Sequence, residues 1–230
     1  LPQDSPLRKA VVISNPLGED FSIMRTISLN GMLTSLSTNF NRRNKNVRLY
    51  ELGNIYLPKQ VPVTELPEER MQFTLGMYGE GDFFTMKGVI EEFLYKAGMK
   101  LKPEYDPEAG KPFLHPGRQA NVVYDGTVIG YLGEVHPTVA ANYAIKERVY
   151  VAVLDMPEIV SRASFDHKYE GIAKFPAAAR DISMVVPKKV LAGDIEKIFD
   201  EKGGQFLEKY DLFDIYEGAQ IEKGFKSMAY

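Results

Sequence analysis

Arg118 and Glu134 are the side chains whose type and setting most suggest a site in this 230-residue chain. They lie near the two ends of one stretch, HPGRQANVVYDGTVIGYLGEVHP, which begins with His115-Pro116 and ends with His136-Pro137. A guanidinium and a carboxylate so placed can form an ion pair across a hairpin, clamp a substrate, or meet a partner. Between them, Asp125-Gly126 joins two runs rich in β-formers, 120–124 and 127–135. That pair is a strong hairpin signal, because a type I′ turn needs positive φ at both central residues. Gly130 and Gly133 in the second run mark a bulge or a close backbone approach.

Other chemistry is harder to assemble. The three histidines, His115, His136 and His167, have no partner at metal-ligand spacing, and the absence of cysteine removes thiolate ligands, disulfides and a thiol nucleophile. No serine sits in a Gly-x-Ser-x-Gly elbow. Gly79-Glu80-Gly81 has a phosphate-loop flavour, but the following Asp82 puts an anion where a helix start would attract one, so Asp82 reads as a helix cap. Asn15, Glu19, Asp20 and Arg25 form a polar group that turn chemistry accounts for, with Arg25 kept as a structural or partner-contact residue. Arg42, Arg43 and Lys45 suit a helix C-terminus. Phe213 and Tyr216, with Tyr210, are aromatic residues that can stack on bases or pack in a core.

The elements that must position these residues alternate between helix and strand. A helix is expected over 28–43, where Leu29, Met32, Leu33, Leu36 and Phe40 share one face; Gly31 inside it suggests a close neighbour. A second is expected over 83–97, with Met86, Val89, Ile90, Phe93, Leu94 and Ala97 inward and Gly98 closing it. Short helices are expected at 137–145 and 157–162. Strands are expected at 9–13, 47–57 (covered on both faces), 71–78, 100–105, the hairpin, and 149–154. The composition changes at 164–170, read as a linker. Beyond it come a strand at 181–186, a helix at 191–201 with Ile195, Ile198 and Phe199 inward, a strand at 205–216 broken at Asp211, and a strand from 224. That β-α-β-β order is most of a ferredoxin-like split βαβ sandwich, without its last helix and strand.

Bulk properties set limits. A hydrophobic content of 44% is ample for a core, and a net charge of −3 argues against coating nucleic acid electrostatically. Residues 168–230 carry 10 basic and 11 acidic side chains, so RNA binding there cannot rest on charge alone. No apolar run approaches a membrane span. The start, LPQDSPLRKAVV, is unlike a signal peptide and reads as a cut within a longer protein, and GFKSMAY stops inside a β pattern, so a fragment is expected.

Several segments in order resemble the β subunit of bacterial phenylalanyl-tRNA synthetase, in its C-terminal part. They are NPLGEDFSIMRTISLNGML, ELGNIY, DFFTMKGVIEEFL, HPGRQANV, IGYLGEVHP, KFPAAARDISMVV and LFDIYEGAQIEKGFKSMAY. The resemblance implies an α+β fold. Residues 1–163 would be a class II synthetase-like antiparallel sheet flanked by helices, without catalytic duty. Residues 164–230 would be a truncated ferredoxin-fold anticodon-binding domain, an incomplete βαββ unit. It implies an α subunit and tRNA(Phe) as partners and a cytoplasmic (αβ)₂ enzyme. ATP and Mg²⁺ would serve the whole enzyme, with no cofactor, metal or catalytic residue in this fragment and no role for DNA or membrane. In keeping with that, no Gly-rich strand ending in the arginine that a class II ATP site needs is found: Gly126, Gly130 and Gly133 are not followed by one. Under this reading Arg118, Glu134 and Arg25 fix structure or meet a partner, and Phe213 and Tyr216 touch RNA. Two competing readings are a free-standing paralogue binding an amino acid or adenylate near Arg118 and Glu134, and a second unit used for allosteric or protein contacts.

Overall fold

A computed structural model describes residues 1–166, 169, 171 and 174–230. The chain divides into two compact units, Leu1–Asp166 and His167–Tyr230. Part of the linker expected at 164–170, including His167, lies outside the described residues.

In the first unit, α1 (Leu29–Asn41), β1 (Val47–Leu57), β2 (Glu68–Tyr78), α2 (Phe83–Lys96), β3 (Glu104–Asp106), β4 (Leu114–Tyr124), β5 (Thr127–Val135), α3 (Pro137–Asn142), β6 (Val149–Asp155) and α4 (Met156–Arg162) follow in order. The strands form one antiparallel sheet, β1-β2-β6-β5-β4-β3. One apolar layer joins the sheet to α2 and α4 through Leu75, Met86, Ile90, Leu94, Leu132, Ala152 and Ile159. A second joins the opposite face to α1 and α3 through Met32, Leu36, Ala140, Val149, Val151 and Val153. The alternation of β2 feeds both: Leu75 and Met77 point into the first layer, Tyr78 into the second.

The hairpin is a positive-φ turn, with Asp125 at φ 48° and Gly126 at φ 70°. Gly130 and Gly133 are close-approach positions. A Cβ on Gly130 would collide with the Val153 carbonyl, and one on Gly133 would lie 2.8 Å from the Arg118 carbonyl oxygen. Asp82 caps α2: its Oδ1 accepts from the Thr85 N–H at 2.9 Å while the Thr85 hydroxyl accepts from the Asp82 N–H at 3.2 Å.

Several expectations change. Residues 9–13 make only a single bridge, Val12 to Ile23, because no longer run of partners lies alongside them. β1 is covered on one face only: Val47 and Leu49 join the layer with α1, while Tyr50 (75% exposed) and Leu52 (54%) stand on the other face, where the layer formed by α2 and α4 includes no β1 residue. Gly31 has no close neighbour: a Cβ at this position would have a Glu51 carboxylate oxygen as its nearest contact, 3.9 Å away. Val89 also lies on an exposed helix flank. The strand expected at 100–105 shrinks to β3.

The second unit contains β7 (Ser183–Pro187), α5 (Ala192–Lys202), β8 (Asp214–Tyr216) and β9 (Phe225–Ala229), with the antiparallel sheet order β7-β9-β8. Ile195, Phe199, Met228, Tyr210 and Tyr230 form its core. The Phe199 ring meets those of Tyr230 and Tyr210 at 5.0 and 5.3 Å between centroids. Ile198 is exposed rather than inward. Of the strand expected at 205–216 only β8 forms, preceded by a 3-10 turn at Gly204–Phe206.

The cap gives a pH-dependent prediction. The Thr85 N–H holds the Asp82 carboxyl below its usual range, so its stabilisation is complete above the unfolded value near ~4 and is lost as pH falls through the lower folded value. Asp82→Ala is expected to cost about 1 kcal/mol at pH 7, with the deficit shrinking below pH ~4. Urea denaturation at both pH values measures this.

Candidate functional site

The ends of β4, β5 and β6 bring three charged residues together. Glu134 closes β5 and is 3% exposed. Arg118 lies in β4 where the ladder is irregular, between the pairs Leu114–Val135 and Gln119–Gly133. The irregularity re-aims a side chain without ending the strand, and Arg118 Nη1 donates to Glu134 Oε1 and Oε2 at 3.2 and 3.1 Å. A buried carboxylate is costly unless paired, and this guanidinium supplies the pairing. Arg148, just before β6, approaches more loosely, its Nε 4.0 Å from Glu134 Oε1.

These residues line a cleft of about 630 Å³ with α3 and the turn after it. The turn closes the helix with Ala144 at φ 57°: Ala144 N–H donates to the Ala141 carbonyl and Ile145 N–H to the Ala140 carbonyl, at 3.0 and 3.1 Å. His115 also lines the cleft, and its Nδ1 accepts the Gly117 N–H at 3.1 Å. His136 instead caps α3, accepting from the Thr138 N–H at 3.2 Å. No group of three His, Cys, Asp or Glu side chains among the described residues could hold a metal. The cleft brings no nucleophile beside a base; its chemistry is that of charge recognition.

Arg25 is placed elsewhere, against β1. Its Nη1 meets Glu51 Oε1 at 2.5 Å and its Nε donates to the Asn54 carbonyl at 2.7 Å. Gly53 leaves the room: a Cβ there would collide with the guanidinium. The segment ELGN thus forms a seat for Arg25, and Asn15 and Glu19 take no part in it. The side chain of Asp20 lies outside the described residues.

Phe213 lies just before β8 and Tyr216 ends it, at one edge of the second sheet, 63% and 44% exposed. Tyr210 does not join them. It packs in the core and its hydroxyl donates to Asp200 at 2.7 Å, while burial raises its pKa.

Sequence reasoning missed Arg148, which has no motif of its own and reaches the cleft only because β6 pairs beside β5. It also missed an ion network in which Arg70 pairs with Asp155, reaches Glu158 at 3.5 Å and Glu68 at 3.4 Å, while Arg162 pairs with Glu158. The Asp155 and Arg70 partners are 85 residues apart, beyond any local pattern.

Residues 1–156 match the family described as phenylalanyl tRNA synthetase beta chain CLM domain, and residues 173–230 match the ferredoxin-fold anticodon binding domain. The chain is similar over its whole length to proteins named phenylalanine–tRNA ligase beta subunit from Clostridium acetobutylicum (43% identical) and Clostridium tetani (44%), spanning 29% of each. It is 34% identical to the Bacillus subtilis protein of that name, over 95% of this chain and 28% of the relative. The chain therefore spans under a third of the length of these curated relatives. Among solved structures, pyrrolysyl-tRNA synthetase from Desulfitobacterium hafniense shares the fold over 70% of this chain and 55% of its own, with a TM-score of 0.54 at 13% identity.

The buried pair makes an asymmetric prediction. Arg118→Met strands the Glu134 carboxylate and is expected to cost about 3 kcal/mol, whereas the double variant Arg118→Met/Glu134→Met removes both charges and recovers most of it. Chemical denaturation of the two variants checks this; equal losses would contradict the pairing role.

Proposed function

The chain belongs to the phenylalanyl-tRNA synthetase β-chain family, and on that premise we propose that it serves within phenylalanine–tRNA ligase. Its role there is a non-catalytic scaffold that supports a catalytic α subunit and contributes to tRNA(Phe) binding. The observation that carries this reading is the succession of the two family matches on two separate compact units. The likeness to a pyrrolysyl-tRNA synthetase supports a class II-like sheet in the first unit. ATP and Mg²⁺ then belong to the α subunit's activation of phenylalanine, and the assembly works in the cytoplasm. Among the described residues no helix is long and apolar enough to cross a membrane.

The surface best suited to the α subunit is the uncovered face of β1, at one end of the six-stranded sheet. Tyr50 and Leu52 stand exposed on that face, outside the apolar layer that α2 and α4 form with the sheet. For tRNA, the suitable surface is the β8 edge with Phe213 and Tyr216, where aromatic faces can stack on unpaired bases without a strongly basic patch.

Three outcomes test this reading. The isolated chain is expected to give no phenylalanine-dependent ATP–pyrophosphate exchange, and exchange without an α subunit would favour a free-standing enzyme instead. In the full-length β subunit, Tyr50→Lys/Leu52→Asp should weaken α-subunit association at least about tenfold in sedimentation measurements. In the assembled enzyme, Phe213→Ala/Tyr216→Ala should lower tRNA(Phe) affinity about tenfold, and unchanged affinity would remove these residues from the RNA contact.

A further inference from the structure

The cleft at the end of β4, β5 and β6 has more cationic donors than its own acids use. Arg118 is committed to Glu134. Arg148 is not: its side chain is 67% exposed, its approach to Glu134 is beyond hydrogen-bond reach, and it makes no hydrogen bond among the described residues. Lys146, exposed on the same rim, has no ion-pair or hydrogen-bond partner among them either. Glu147 is the opposing acid on that rim. With Arg118 and Glu134 cancelling, Lys146 and Arg148 against Glu147 leave one net positive charge.

Apart from His115, the remaining wall is apolar and short. Ala140, Ala141 and Ala144 leave open the space that larger residues would fill, and Val135 and Pro137 continue the surface. The volume falls within the range of small-molecule sites, which pair an apolar lining with a few placed polar groups.

We propose that this cleft binds a small organic monocarboxylate. The carboxylate sits on the Arg148 fork with Lys146 beside it, and the apolar body lies along the alanines. A planar guanidinium matches a carboxylate through two parallel N–H donors. One net positive charge suits a monoanion, whereas a phosphate dianion would meet Glu134 and Glu147 with excess charge. The proposal goes beyond the function above and does not rest on it.

Benzoate is the probe, titrated into the full 230-residue chain and followed by backbone amide NMR, with inorganic phosphate as a parallel arm. Expected are saturable benzoate shifts centred on residues 135–148, at least about tenfold weaker binding in Arg148→Gln, and loss of binding in Ala141→Phe, which fills the cleft and keeps every charge. Arg148 is exposed, so its variant keeps the test decisive should Ala141→Phe fold poorly. Absence of saturable benzoate binding, undiminished binding in Arg148→Gln, or phosphate binding as tightly as benzoate each overturns the proposal.

Discussion

β6 is the constraint on which the larger unit depends. From Val149 to Leu154 it is buried on both faces, with β2 and β5 hydrogen-bonded on either side. Each fully buried aliphatic side chain contributes about 1.5–3 kcal/mol, so this strand links both apolar layers and fixes the register of its neighbours. Glycines adapt the sheet to it. Gly76 and Gly133 flank Val151 across the ladder, and Gly76 gives Met32 and Leu36 of α1 room to reach the sheet. A strand buried on both sides tolerates little change in register, because a one-residue slip exchanges its two faces.

The charged features are arranged around that apolar centre. Glu134 pairs across the ladder with Tyr150 of β6, which carries the carboxylate inward, and the irregular part of β4 delivers the arginine that neutralises it. The seat of Arg25 works differently. It is about one-third exposed and built from one segment of β1, with a glycine giving up its side-chain volume to the guanidinium. The first arrangement is expensive to break because a charge would be left buried. The second is a local latch, its energy moderated by solvent.

The second unit rests on a smaller core. Three aromatic rings, Phe199, Tyr210 and Tyr230, and Met228 hold α5 to a three-stranded sheet. β8 is short and mostly outside that core, which leaves its apolar and aromatic side chains exposed. A surface of this kind suits recognition by stacking and shape more than by charge, in keeping with the even balance of acids and bases there.

Much was legible from local rules. The α2 cap, the Asp125-Gly126 turn, the inward stripe of α1 and the Arg118–Glu134 pair each depend on residues close in sequence or joined by one hairpin, and local chemistry suffices for them. Where local rules failed, a distant neighbour or its absence decided. Residues 9–13 have the composition of a strand, but a strand needs a partner along its length. Tyr50 and Leu52 look like core residues until the layer formed by α2 and α4 stops short of β1, and Ile198 until α5 turns that flank outward. The sequence by itself determined which segments become helices and hairpins, where several of them stop, and the family to which the chain belongs. Only the tertiary structure decided which strand lies at the edge, which glycines are needed for close approach, and that Arg148 and Lys146 meet the alanines of α3 in one cleft. Those outcomes come from strand order and register, set by burial of apolar surface across segments far apart in the chain, and no local pattern carries that information.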